Sequence, residues 1–229
     1  MGILVQTIVV SDFQQNARVL INKEEGLALI IDPGAEEQRL FDAVSTYDVQ
    51  AIVLTHCHLD HAGAVQRLLQ LFEEAGKAVP PLMYHSNEVV IAEHIKDYSK
   101  MYGLTTYDNC PKPDVRLDDL DTIQLGEKQF RLLDTPGHSP GHVALFYDGD
   151  DFELTGDFSE QYNAKHLLIA GDALFRESIG RTDLPLGNHA QLLDSIQGKL
   201  FTLADDTLVC PGHGPNTTIA HEKANNPFF

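Results

Sequence analysis

Residues 55–61, which read THCHLDH, constrain the fold more than any other part of this chain. They directly follow the apolar run 51–54 and precede a helical pattern. Three histidines and one aspartate at the carboxyl end of a buried strand can turn towards one point, where open α/β sheets place their sites. With 11 His among 229 residues, a chance match to HxHxDH is expected on the order of 0.002 times per chain. The segment therefore predicts a ligand-binding turn on an α/β sheet.

Hydrophobic patterning predicts strands and helices in alternation. The predicted strands are residues 4–10, 18–22, 27–32, 51–55, 128–134, 142–147, 166–171 and 207–210. Apolar stripes at helical spacing run through residues 65–72, 91–102 and 192–200, the first two followed by glycine. This mixture predicts a layered α/β domain. Residues 148–165 are the most polar stretch and are predicted to form an exposed excursion or hairpin.

The chain is predicted to be one domain, residues 1–229, because no linker or repeat divides it. Its 16 basic and 34 acidic side chains give a net charge of −18, which disfavours nucleic acid as a partner. The longest apolar run, residues 27–31, is far too short to span a membrane. Three cysteines without a CxxC pair, and no recognisable secretion signal, favour the cytoplasm. The sequence leaves the oligomeric state open.

Three further candidate ligands lie in loops flanked by glycine or proline, each just beyond a predicted strand: His138, Asp172 and His213. Imidazole and carboxylate groups suit zinc, iron or manganese. The candidate ligands number seven, too many for one tetrahedral ion but suited to two ions that share a carboxylate. They are His56, His58, Asp60, His61, His138, Asp172 and His213.

These motifs, with GDALF at 171–175 and SIGRTDL at 178–184, resemble those of metallo-β-lactamase-fold hydrolases, and among them the short bacterial type II glyoxalases (hydroxyacylglutathione hydrolases). The resemblance implies a four-layer αβ/βα sandwich and two divalent metal ions, zinc first, with iron or manganese as alternatives. It assigns His56, His58, His138 and Asp172 to one ion. It assigns Asp60, His61, Asp172 and His213 to the other, so that Asp172 bridges.

The resemblance further implies hydrolysis of a 2-hydroxyacyl thioester such as S-D-lactoylglutathione, a small-molecule partner, by a hydroxide held between the ions. Asp60 would be a ligand and a proton shuttle. Arg181 occupies the place of a lysine that contacts substrate in larger glyoxalases, and is the candidate for binding a substrate carboxylate. Two features depart from those enzymes: Gly214-Pro215 replaces their Glu-Tyr, and the helical C-terminal glutathione-binding domain is not expected here.

Other interpretations stay open at this point. A persulfide dioxygenase would hold one iron with His56, His138 and Asp172. Hydrolysis of lactones or β-lactams, and a non-catalytic metal-binding module, have no positive feature in their favour. Asp32, before Pro-Gly, is predicted either to hydrogen-bond a ligand histidine or to form a turn. Cys57 is predicted to be a structural thiol.

Overall fold

The computed structural model describes residues 2–105 and 107–229. Its strands, in chain order, are β1 Ile3–Val10, β2 Gln15–Asn22, β3 Leu27–Ile31, β4 Asp48–Val53, β5 Leu82–Tyr84, β6 Val115–Arg116, β7 Thr122–Leu125, β8 Lys128–Asp134, β9 Val143–Tyr147, β10 Phe152–Gly156, β11 His166–Gly171, β12 Leu174–Phe175, β13 Ser178–Ile179, β14 Thr207–Pro211 and β15 Thr217–Thr218. The α-helices are α1 Glu37–Ala43, α2 Leu59–Ala62, α3 Val65–Glu74, α4 Val89–Ala92, α5 Ile95–Met101, α6 His189–Ser195 and α7 Ile219–Asn225.

Two sheets pack face to face between helices. The first has the order β10-β1-β2-β3-β4-β5-β6 and the second β15-β14-β11-β9-β8-β7, while β12 and β13 pair separately. In β3, Leu29 and Ile31 enter the core between the sheets, whereas Ala28 and Ile30 pack towards α1 and α3. Because both faces of such a strand are buried, its sequence is a continuous apolar run. On the far side, α6 covers the second sheet. The predicted four-layer αβ/βα arrangement is confirmed.

All eight predicted strands are present, with ends shifted by up to three residues. The predicted helix at 91–102 is divided between α4 and α5, and the stripe at 192–200 begins inside α6 and continues into the π-helical turn Ile196–Leu200. The short strands β5, β6, β7, β12, β13 and β15 and the helices α1, α2 and α7 were not predicted. Each is at most seven residues long, too short for a strong periodic pattern.

Residues 148–165 contain a strand of the first sheet, so the prediction of an exposed excursion or hairpin is wrong for the middle of this segment. The strand is β10, which pairs in parallel with β1, Phe152 lying opposite Ile3. Its alternating Phe152 and Leu154 are partly buried against the core between the sheets. The chain thus passes from β9 in the second sheet to β10 in the first sheet, and then returns to β11 in the second sheet.

The strand directions bring several loops to one edge of the sandwich. β3 runs parallel to β4 in the first sheet, and β11 runs parallel to β14 in the second. The loops that follow these strands carry Asp32, the THCHLDH segment, Asp172 and His213. Within the described residues, no helix has the length and apolar character needed to cross a membrane.

Candidate metal centre

The THCHLDH segment begins as extended chain and ends as helix. β4 ends at Val53, and His58 is still extended, with φ −63° and ψ 155°, where it precedes α2. Asp60 and His61 therefore belong to the first turn of α2, whereas His56 lies in the irregular segment between β4 and α2. This change of backbone geometry lets neighbouring residues present their side chains to two adjacent positions.

The remaining donors come from three loops. His138 lies between β8 and β9, Asp172 directly follows β11, and His213 lies two residues beyond β14. The structure brings all seven predicted ligands together in two groups joined by Asp172.

The first group consists of His56, His58 and His138, with one ring nitrogen from each within 4.8 Å of the others. His138 Nε2 is 2.9 Å from His58 Nδ1 and 3.2 Å from His56 Nε2. Burial lowers the pKa of His56 well below its ordinary value and lowers the pKa of His58 to about 3, and the neighbouring imidazoles lower both further. The rings of His56 and His58 are therefore neutral at pH 7, the state in which imidazole binds a metal.

The second group consists of Asp60, His61 and His213. His213 Nε2 is 3.1 Å from Asp60 Oδ2, and His61 Nε2 is 3.9 Å from the same oxygen. Burial opposes protonation of His61, but the carboxylates of Asp172 and Asp32 raise its pKa well above the ordinary value. The second group therefore has more carboxylate charge around it than the first group has.

Asp172 lies between the groups and is 7% exposed. Its Oδ1 is 3.2 Å from His61 Nε2, while its Oδ2 is 3.5 Å from His213 Nε2 and 3.6 Å from His138 Nε2. Burial disfavours the charged form, yet the adjacent His61 holds the pKa of this carboxyl well below its usual range. One carboxylate thus faces donors of both groups.

The outer nitrogens of four histidines have hydrogen-bond partners that turn the other nitrogen inward. His138 Nδ1 donates to the Arg181 carbonyl at 2.7 Å, and His213 Nδ1 to the Phe13 carbonyl at 3.1 Å. His61 Nδ1 is 2.9 Å from Asp32 Oδ2, and His56 Nδ1 is 3.1 Å from the Thr55 hydroxyl. Such partners fix the tautomer and orientation of metal-binding histidines.

The donor set fits a divalent metal centre. With their Nδ1 protons donated outward, His56 and His138 direct two Nε2 lone pairs at each other across 3.2 Å, a contact that a cation between them would relieve. His61 Nε2 and Asp172 Oδ1 are buried and, although 3.2 Å apart, form no well-aligned hydrogen bond with each other or with another group. Beside them, a Cβ on Gly212 would collide with Asp172 Oδ1 and would lie 2.7 Å from His61 Cε1, so only glycine leaves room at this point.

Asp32 is the link between two ligand-bearing segments, and the prediction that it hydrogen-bonds a ligand histidine is confirmed. Its φ is +50°, a turn conformation that aspartate tolerates better than most residues. Besides His61, it accepts the Thr55 backbone N–H at 2.7 Å and the Thr55 hydroxyl at 2.6 Å. Through Thr55 it also orients His56.

Two supporting residues were not recognised as such from the sequence. Glu88 is fully buried and accepts the backbone N–H groups of Cys57 at 2.8 Å and Gly141 at 2.7 Å, tying the THCHLDH loop to the His138 loop. His142 accepts the Asp172 backbone N–H at 3.0 Å. A signal for Glu88 exists: it lies on the same helical stripe as Ile91 and Ile95, where a charge is unexpected.

Arg181 lies beside the centre but is already paired. It lines a cavity of about 480 Å³ together with His58, Asp60 and His213. Its Nε and Nη2 donate to the two carboxylate oxygens of Asp183 at 2.7 and 2.8 Å. Its contact with a substrate carboxylate stays a prediction. Cys57 is buried beneath the loop, where burial raises the pKa of its thiol, in keeping with a structural role.

Comparison with known proteins decides the family. The model of the "Metallo-beta-lactamase superfamily" matches residues 11–164 and 159–213. The chain belongs to the metallo-beta-lactamase superfamily. The resemblance drawn from the ligand motifs is thereby confirmed at the level of the superfamily.

Three superfamily relatives match almost the whole chain. The hydroxyacylglutathione hydrolase GloC of Haemophilus influenzae is 34% identical over 229 residues, covering 98% of this chain and 97% of its own. The structure of BLEG-1 B3 metallo-beta-lactamase has a TM-score of 0.80 at 33% identity and covers 98% of both chains. The di-iron-bound form of TTHA1623 has a TM-score of 0.76 at 32% identity, covering 97% of this chain and 99% of its own. The protein is therefore a member of a superfamily of metallo-hydrolases.

Asp32→Asn is expected to lower metal affinity about 10- to 100-fold, the usual effect of losing an outer hydrogen-bond partner of a metal ligand. Asparagine keeps the size and tolerates the positive φ, but it puts an N–H₂ group or an uncharged oxygen against His61 Nδ1. Metal affinity is measured by competition with a chromogenic chelator. Asp114→Asn is the control, because Asp114 also accepts a backbone N–H, that of Leu82 at the start of β5, and is not hydrogen-bonded to a candidate metal ligand. Equal affinities for the two variants would contradict the role of Asp32.

Proposed function

We propose that this protein hydrolyses thioesters of 2-hydroxy acids, with S-D-lactoylglutathione as the reference substrate. The observation that carries the proposal is the position of Asp172 between two donor groups, each able to hold a cation. The 34% identity to a hydroxyacylglutathione hydrolase over nearly both full lengths supports the choice of reaction.

In this proposal His56, His58, His138 and Asp172 hold one ion, and Asp60, His61, Asp172 and His213 hold the other. Zinc is the proposed metal, with iron and manganese as alternatives, and a solved relative is in a di-iron-bound form. Divalent ions bound there would supply a nucleophilic water at neutral pH and polarise the substrate carbonyl.

The chain's own groups orient the donors and handle the proton. Asp60 has its side chain 20% exposed towards the cavity, with Oδ2 within 3.1 Å of His213 Nε2. With metal ions held by the donors, the Asp60 carboxylate would accept the proton that the attacking water loses and would return it to the thiol product. The departing thiolate needs little protonation, because thiols have pKa values of about 8.5 and a thiolate is therefore a stable leaving group near neutral pH. The buried bonds of Asp32 and Glu88 hold the histidine loops in place during these steps.

Elemental analysis and a thiol-release assay on one purified sample test the proposal. We expect about two metal ions per chain, as a binuclear site requires, and rapid release of free thiol from S-D-lactoylglutathione. Chelator treatment should abolish the release and added metal should restore it. A metal-replete sample that releases no thiol, while another hydrolysis proceeds rapidly, would contradict the proposed reaction.

A second candidate is the persulfide dioxygenase with one iron. Its favouring observation is that His56, His138 and Asp172 are adjacent: the two Nε2 atoms are 3.2 Å apart, and His138 Nε2 is 3.6 Å from Asp172 Oδ2. This reaction predicts oxygen uptake with glutathione persulfide by the iron-loaded protein. It leaves the second donor group without a function, which is why thioester hydrolysis is preferred.

A further inference from the structure

The cavity beside the donors is walled mainly by apolar side chains. They come from three segments: Phe13 from the turn between β1 and β2, Tyr98, Met101 and Tyr102 from α5 and its end, and Leu184 and Pro185 from the loop after β13. The rings of Phe13 and Tyr102 meet edge to face at 5.5 Å. A three-carbon acyl group fills only a small part of this cavity of about 480 Å³, so most of the cavity is available to the thiol half of the substrate.

Cationic side chains are scarce along this wall. Arg181 is the one lysine or arginine among the described residues that line the cavity, and the Nε–Nη2 edge of its guanidinium is bonded to the carboxylate of Asp183. Asp60 and Asp172 face the same space. Because the proposed metal ions would neutralise these two carboxylates, the cost of binding an anion here comes from lost hydration against the apolar wall, where Arg181 is already paired with Asp183.

We propose that this cavity takes the thiol half of the substrate as an uncharged, apolar group. The preferred substrates are then hydroxyacyl thioesters of apolar thiols, rather than thioesters of glutathione, which carries two carboxylates. This inference rests on the proposed thioesterase function and specifies the substrate class of the same site. Burial of apolar surface against Phe13, Tyr102 and Leu184 supplies the binding free energy.

The first test compares kcat/KM of the metal-replete protein for D-lactoyl thioesters of benzyl mercaptan, glutathione and coenzyme A. The first two thiols have similar leaving ability, so their ratio reports recognition of the carrier. We expect the benzyl thioester to exceed the glutathione thioester about tenfold, as for one or two additional buried methylene groups, and coenzyme A to be poorest. A glutathione thioester that equals or exceeds the benzyl thioester would overturn the inference.

Binding of two stable thioethers, benzyl methyl sulfide and S-methylglutathione, separates the inference from the reaction. Tighter binding of the benzyl compound, without hydrolysis of any thioester, would overturn the proposed function and support the apolar cavity. Tighter binding of S-methylglutathione would overturn the inference itself.

The third test adds a cation to the wall. Met101 is 80% exposed and lines the cavity, so Met101→Lys adds a charge without opening the core. We expect this variant to raise the glutathione-to-benzyl ratio of kcat/KM about threefold relative to the matched uncharged control Met101→Gln, the effect of one exposed ion pair. Asp183→Asn, which frees Arg181, should change the ratio in the same direction. An unchanged ratio in both variants would mean that charge on this wall does not select the carrier, and would overturn the inference.

Discussion

Asp172→Ala is expected to lose metal from both donor groups and to lower thiol release by more than about 100-fold, a larger effect than the loss of a hydrogen-bond partner of a metal ligand usually has. The reason is geometric, because the two oxygens of Asp172 face His61 on one side and His138 and His213 on the other. Metal content is measured by elemental analysis after gel filtration. Loss from only one group would leave about half of the metal.

The control for this experiment is Asp194→Ala, which removes an exposed carboxylate from α6. Asp172→Asn keeps the side-chain volume if the alanine variant folds poorly, and circular dichroism reports whether each variant is folded. Near-normal metal content in a folded Asp172 variant would refute the bridging role.

Glu88→Ala is expected to lower the free energy of unfolding by about 3 kcal/mol, because two buried backbone N–H groups, each worth about 1–3 kcal/mol when unsatisfied, lose their acceptor. Those groups belong to Cys57 and Gly141, in the two loops that carry the first donor group. Metal affinity should therefore fall together with stability. Denaturant unfolding of the metal-free protein and chelator competition on the metal-loaded protein measure the two effects.

Glu222→Ala separates these effects. Glu222 is also fully buried and accepts the Glu177 N–H at 2.9 Å and the Thr217 hydroxyl at 2.6 Å, outside the histidine loops. It should lose comparable stability while keeping its metal affinity. Glu88→Gln retains one acceptor oxygen and should recover part of both losses. If Glu88→Ala lost stability but bound metal as tightly as Glu222→Ala, Glu88 would be a packing residue only.

The residues of the candidate centre could be predicted from the sequence because their signal is local. The seven candidate donors could be predicted without knowing how the strands pair. Four of them lie in the HxHxDH motif, and the others are a histidine or aspartate beside glycine just after an apolar strand. Strands with apolar residues on both faces, such as β3, were predictable because burial on both faces leaves a continuous apolar run. The superfamily followed from the same residues. The single domain, the cytoplasmic location and the small-molecule partner stay predictions.

Only the tertiary structure decided which distant groups meet. The polar sequence of β10 predicts a loop, and only its pairing with β1 shows that it is a strand. That pairing joins residues about 150 positions apart, so the local sequence does not indicate it. Glu88 gains its role only when the loops of Cys57 and Gly141 come together. The ion pair between Arg181 and Asp183 likewise depends on the conformation of the loop that carries both residues. Hydrogen bonds and ion pairs form between groups that the fold brings into contact, and spacing along the chain does not encode that contact.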